Sequence, residues 1–196
     1  MAYVLRSARW IAADVLHQVI QEGDTVIDAT LGNGHDTVML AELVGEGGHV
    51  IGFDIQPDAV ERTAARLQEA GLLNRCELYA EGHQNIANRV NRPVKAAVFN
   101  LGWLPGGDKS VTTLWETTHT AITSALSLLV DGGVCTVCAY PGHDEGTREL
   151  NALLEWGSGL DDRRYDVLLK TYLNQPNDPP RMMAVRKKKT RQKKEK

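Results

Sequence analysis

A chain of 196 residues that is 42% hydrophobic is long enough to bury one substantial core, so a single domain is expected. It has no apolar run of the roughly 18 residues a membrane helix needs; its first residues lack the layout of a signal peptide, and its three cysteines do not suggest a disulfide framework, so a cytoplasmic protein is expected. The net charge of -3 hides an asymmetry: residues 1–180 carry 13 Lys+Arg against 24 Asp+Glu, whereas residues 181–196 carry 9 against 1.

Ser7 is a plausible cap for a helix over residues 8–20, with Trp10, Ile11, Val15 and Val19 spaced to form its buried face. Residues 25–29 read as a first strand and 35–44 as its helix, joined through Asp28-Ala-Thr-Leu-Gly-Asn-Gly-His-Asp-Thr37. Residues 50–54 form a second strand ending on Asp54. Pro57 sits where a first-turn proline is tolerated, and the helix behind it runs to residue 70 with Val60, Ala64 and Leu67 on one face. Short strands follow at 76–80 and 96–101. A long helix is predicted over 111–130, then a strand over 134–140 and a helix over 144–156. Residues 165–172 and 182–186 look like strands flanking Asn174-Gln-Pro-Asn-Asp-Pro-Pro180. No helix fits between them, so they should pair antiparallel. Alternating strands and helices closed by a hairpin imply an α/β fold, a mostly parallel sheet with one antiparallel strand. The folded domain is expected to span residues 1–185 and the basic run 186–196 to be a disordered tail, with an electrostatic arm for nucleic acid as its functional reading.

The chemistry concentrates at the carboxyl ends of these strands, where ligands of open α/β sheets gather. A tight glycine turn off the first strand, with an acid ending the second, is how such sheets hold a nucleoside-bearing cofactor. Gly32 and Gly34 let the backbone turn sharply and approach a ligand, with Thr30 and Asn33 in the same turn. The pattern is Gly-Asn-Gly-His-Asp rather than GxGxxG, and Asp36 puts a carboxylate in the first turn of the helix. That acid would oppose a diphosphate but suits a cofactor with a positive centre, S-adenosylmethionine. Asp54 can accept from both ribose hydroxyls; Gln56 can reach the ribose or the adenine edge, and His83 ends the third strand near the expected adenine.

Asn100 ends the fourth strand where this architecture presents its reacting group. It offers a carbonyl acceptor and an amide donor but no proton transfer near neutral pH. Gly102, Pro105, Gly106 and Gly107 shape the loop beyond it, in which Trp103 can stack on a base. Tyr140-Pro-Gly-His143 closes the fifth strand on the same rim and makes His143 a candidate substrate contact. His119 lies mid-helix and reads as structural or surface. Cys135 and Cys138 face opposite sides of a strand and read as buried, not as a redox or metal pair. No metal-ligand cluster is legible.

These motifs, with Phe-Asn-Leu-Gly-Trp-Leu-Pro-Gly-Gly-Asp-Lys109 and the Asn174–Pro180 segment, resemble the MnmM (YtqB-like) family over residues 7–185. The resemblance implies a Rossmann-like class I methyltransferase fold with a seven-stranded sheet and helices on both faces. It implies methyl transfer from S-adenosylmethionine to the 5-aminomethyl group of 2-thiouridine at the tRNA wobble position. Carried over by position, Asn33, Asp54, Gln56 and His83 hold the cofactor. The loop from Asn100 to Lys109, with Trp103, Asp108 and Lys109, and Tyr140 and His143 beyond it, shapes the acceptor side. A tRNA partner follows, no membrane is implied, and a homodimer is compatible. Alternatives from the residues alone are a methyltransferase of rRNA or of a small molecule, a nicotinamide-dependent oxidoreductase, and a non-catalytic RNA-binding module.

Overall fold

The computed structural model describes residues 7–104 and 106–189. Seven strands form one sheet in the order β3-β2-β1-β4-β5-β7-β6: β1 Thr25–Asp28, β2 His49–Phe53, β3 Cys76–Tyr79, β4 Val94–Asn100, β5 Leu129–Ala139, β6 Tyr165–Lys170 and β7 Arg181–Lys187. The first five run parallel. β7 pairs antiparallel with both β5 and β6, as the missing crossover helix demands.

Each central strand alternates its side chains between two cores. Ile27, Ala97, Phe99, Cys135, Val137, Met183 and Val185 join one cluster, beneath α4 (Ile86–Arg89), α5 (Trp115–Leu128) and α6 (Asp144–Ser158). Val26, Ala96, Val98, Val134, Cys138, Met182 and Ala184 join the other, beneath α1 (Ala8–Val19), α2 (His35–Val44) and α3 (Pro57–Glu69). A strand covered on both faces needs apolar residues at both parities. Cys135 and Cys138 accordingly lie buried on opposite faces, and burial raises both thiols, Cys138 to about 12.

Five expectations give way. The buried side of α1 is Ala8, Ala12, Ala13 and Leu16, while Trp10 is 54% exposed and Ile11, Val15 and Val19 are half-buried. Small alanines let this helix lie close over β4, β5 and β7, and that outweighs the bulkier stripe. On α3 the same shift puts Ala59, Thr63 and Leu67 inside, with Val60 and Ala64 at the margin. The long helix begins at Trp115, not at residue 111. Trp103 pairs with Thr112 in an antiparallel bridge and the Thr113 N–H donates to the Gly102 carbonyl at 3.2 Å, so the backbone before Trp115 closes a hairpin. β5 starts early, at Leu129, through a register shift between Val94 and Ala96. β7 runs to Lys187, into the stretch expected to be tail, and residues 190–196 lie outside the described ones.

Candidate functional site

Between β1 and β4 the connections diverge, since β1 leads to β2 on one side and β4 to β5 on the other. A crevice opens at such a switch point, outside the carboxyl ends of the strands. Here it is a cavity of about 650 Å³, within the size range of small-molecule sites.

The turn after β1 forms the first wall. Gly32 (φ 54°) and Gly34 (φ 76°) both lie in the left-handed region where glycine is at ease. Their duties differ. Gly32 lines the cavity, and its N–H donates to Asp54 Oδ2 at 2.9 Å. Gly34 does not line it; it caps α2, and a Cβ there would stand 2.9 Å from Thr63 Oγ1 and 3.0 Å from Thr63 Cα. Gly34 therefore serves the close packing of α2 on α3 rather than approach to a ligand. The Gln56 N–H donates to Asp54 Oδ1 at 2.9 Å, so two backbone donors aim the Asp54 carboxylate and leave lone pairs on each oxygen.

Asn33 and Gln56 line the same side, and α3 steadies Asn33 through Arg66 Nε, which donates to its carbonyl at 2.9 Å. His83, buried in a short 3-10 turn after β3, shares a hydrogen bond of 3.2 Å between Nδ1 and the Ala29 carbonyl. A carbonyl only accepts, so Nδ1 carries the proton and Nε2 is the open acceptor of a neutral ring. Burial holds this imidazole below the ordinary histidine pKa. Behind the wall Asp28 accepts from the Thr37 hydroxyl at 2.7 Å and from the Thr30 N–H at 3.2 Å. Burial and the neighbouring Asp36 push its carboxyl up to about 7.

Asp36 accepts one side-chain donor on each oxygen. Arg9 Nε of α1 donates to its Oδ1 at 2.6 Å, and Asn100 Nδ2 donates to its Oδ2 at 2.8 Å. Asn100 is also held by its backbone N–H, which donates to Thr30 Oγ1 at 2.8 Å. With the amide nitrogen committed, Oδ1 of Asn100 is buried and has no hydrogen-bond partner among the described residues. A buried acceptor left open at a cavity wall invites a donor from a ligand. Asp36 thus orients Asn100 from the cavity wall.

The second wall is the hairpin after β4 and the turn after β5. The Trp103 ring lies 4.2 Å from the His143 ring, centroid to centroid, and Lys109 Nζ stands 5.5 Å from the Trp103 ring. Trp103, Tyr140 and His143 line the cavity; Asp108 and Lys109 are exposed on the hairpin beyond it. Asp108 spends Oδ1 on the Ser110 N–H at 2.8 Å. His143 caps α6, accepting the Gly146 N–H on Nδ1 at 3.1 Å, so its proton sits on Nε2. Burial pushes the Tyr140 phenol up to about 12.

Arg9, His35, Asn177 and Asp178 also line the cavity and were not foreseen. Arg9 directly follows the buried Ala8 and precedes Ala12 and Ala13 by three and four residues, so the alanine stripe was the signal for it. Asn177 (φ 63°) and Asp178 (φ 43°) bring the β6–β7 connection over the rim in a backbone conformation that non-glycine residues seldom adopt.

The donor set fits S-adenosylmethionine: an aimed carboxylate for a ribose diol, and acidic groups around a cavity able to take a cation. Residues 50–186 match the family model described as "Putative rRNA methylase". The chain is 40% identical over 184 residues to the chloroplastic "tRNA (mnm(5)s(2)U34)-methyltransferase" of Arabidopsis thaliana, covering 89% of this chain and 67% of the plant protein. Among solved structures it is similar to a "putative rRNA-methylase" from Clostridium thermocellum, with 43% identity, a TM-score of 0.93, and coverage of 94% of this chain and 100% of that one. It is also similar to a "putative methyltransferase" from Streptococcus mutans in complex with SAH, with 36% identity, a TM-score of 0.86, and coverage of 94% and 99%.

Proposed function

Because the chain belongs to this rRNA-methylase family, the MnmM (YtqB-like) group of S-adenosylmethionine-dependent methyltransferases, we propose that it methylates a tRNA wobble uridine. The acceptor is the primary amine of 5-aminomethyl-2-thiouridine and the product is 5-methylaminomethyl-2-thiouridine. The plant relative's activity supports the acceptor, and the buried, unpartnered Oδ1 of Asn100, a residue of the cavity wall, carries the reading.

S-adenosylmethionine, when bound, supplies a methyl group activated by its sulfonium. Asp54 and Gln56 would hold its ribose, and Asn33 and His83 would complete its nucleoside pocket. The acceptor amine begins mostly as an ammonium, with a pKa near the lysine value of about 10.4. It must lose a proton to water before it can react. A low-dielectric pocket disfavours the charged form, which helps expose the lone pair. Asn100 Oδ1 would then accept one amine N–H and so aim the lone pair. It transfers no proton, and the rate gain comes from orientation, for which effective molarities reach about 10⁵ M or more. Trp103, on the cavity wall beside His143, would contact the wobble base.

An rRNA acceptor is the second reading, favoured by the family's description. One experiment separates the two. Undermodified tRNA carrying 5-aminomethyl-2-thiouridine and rRNA are each incubated with protein and S-adenosylmethionine, and their nucleosides are analysed by mass spectrometry. A gain of one CH₂ on the aminomethyl nucleoside supports the proposal; methylation of rRNA with unchanged tRNA refutes it.

A further inference from the structure

One buried titratable group takes no part in the scheme above. Glu149 of α6 is 1% exposed, and no cation pairs with it among the described residues. Its oxygens are satisfied by two hydroxyls: Thr113 donates to Oε2 at 2.6 Å and Thr118 of α5 donates to Oε1 at 2.6 Å. Burial raises its pKa above the ordinary carboxylate value. A carboxylate kept in the apolar stripe of a helix, among Leu150 and Leu153, is costly where a leucine would pack.

The connection through Thr113 suggests what it serves. Thr113 Oγ1 accepts the Gly102 N–H at 2.7 Å, the Thr113 N–H returns to the Gly102 carbonyl at 3.2 Å, and Trp103 pairs with Thr112. Gly102 and Thr113 are thus the two feet of the hairpin that carries Trp103 and Lys109, and Glu149 fastens them. The same helix reaches the hairpin a second time, because the ring of its cap residue His143 packs at a tilt against Trp103.

We infer that Glu149 is a positioning residue for the acceptor: acting through Thr113, it holds the hairpin from Gly102 to Thr113 so that Trp103 stands over the cavity. The inference rests on the tRNA reading for its kinetic consequence, though not for its structural one. The cofactor wall, built from residues after β1, β2 and β3, shares none of these contacts. Losing the fastening should therefore weaken tRNA use while sparing cofactor binding.

Thr113→Val removes the hydroxyl at nearly constant shape, and Thr113→Ser restores it. Three quantities are read on the full chain: KM for undermodified tRNA, S-adenosylmethionine affinity by calorimetry, and the rate of trypsin cleavage after Lys109. Thr113→Val is expected to raise KM by about tenfold to a hundredfold, since small misplacements cost that much. It should also speed cleavage at Lys109 and leave cofactor affinity within about twofold of wild type, with Thr113→Ser near wild type throughout. Glu149→Gln should reproduce the Thr113→Val pattern, and the double variant should be no worse than either. Wild-type KM and cleavage in Thr113→Val would overturn the inference. A matching loss of cofactor affinity would also overturn it, because the pair would then be merely structural. If wild-type protein fails to methylate the tRNA, the function reading fails, and the cleavage rates alone decide on the hairpin.

Discussion

Asn100 and Asp36 are joined by a single hydrogen bond of 2.8 Å, from the amide nitrogen to the carboxylate, and that bond decides which atom of the Asn100 amide is left without a partner. An asparagine amide can face either way in principle. Against a carboxylate the nitrogen must point inward, leaving the oxygen as the group on offer.

Asn100→Ala should therefore cut turnover by about a hundredfold, the scale of lost orientation, with little change in cofactor affinity. Single-turnover kinetics and calorimetry separate the two. Wild-type turnover in the variant would remove Asn100 from the reaction.

Asp36→Ala frees the amide to flip and is expected to lower turnover nearly as much. The test is the double variant. Residues acting as one unit are non-additive, so Asp36→Ala with Asn100→Ala should be scarcely worse than either alone. Fully additive losses would show that Asp36 acts separately.

Asp54 predicts the opposite split. Hydrogen bonds to a charged group contribute roughly 1.5–3 kcal/mol each, so Asp54→Ala should weaken S-adenosylmethionine binding by at least about tenfold. Unchanged affinity by calorimetry would refute a ribose role.

Asp28 gives a pH signature in stability. Its carboxyl is raised from 3.8 to about 7 by burial and by Asp36. Between those values the folded chain keeps a proton that the unfolded chain has lost, so stability falls as pH rises through the window and levels off above it. Asp28→Asn mimics the protonated form. Urea midpoints at about pH 5 and about pH 7.5 should differ less in the variant than in wild type. Equal differences would place the titration elsewhere.

Gly34→Ala should destabilise the fold by about 1–3 kcal/mol through its left-handed backbone and the contact with Thr63. Thermal unfolding measures this, and an unchanged midpoint would show that α2 and α3 can separate at little cost.

Much of this was legible in the sequence because it depends on local order. Strand, glycine turn, helix and terminal acid follow one another along the chain, so Asp54, Asn100 and the first wall of the cavity could be located by counting. What was not legible depends on partners far apart in sequence. Trp10 outweighs Ala8 in any apolar pattern, yet close approach to the sheet favoured the alanines and carried Arg9 to the site. The start of α5 was misjudged because Thr112 and Thr113 prefer partners in the preceding loop, which helix periodicity does not register. The pairing of Asp36 with Arg9 and Asn100 was not legible because neither partner lies near it in the chain.

The bond from Arg9 to Asp36 also ties the helix before the first strand to the wall of the cavity. A shortened protein beginning at β1 would retain every recognisable motif and the entire span matched by the family model. It would nevertheless leave Asp36 without its counter-charge and uncover β4, β5 and β7. Trimming at this end therefore disturbs the cavity wall even where every motif is kept.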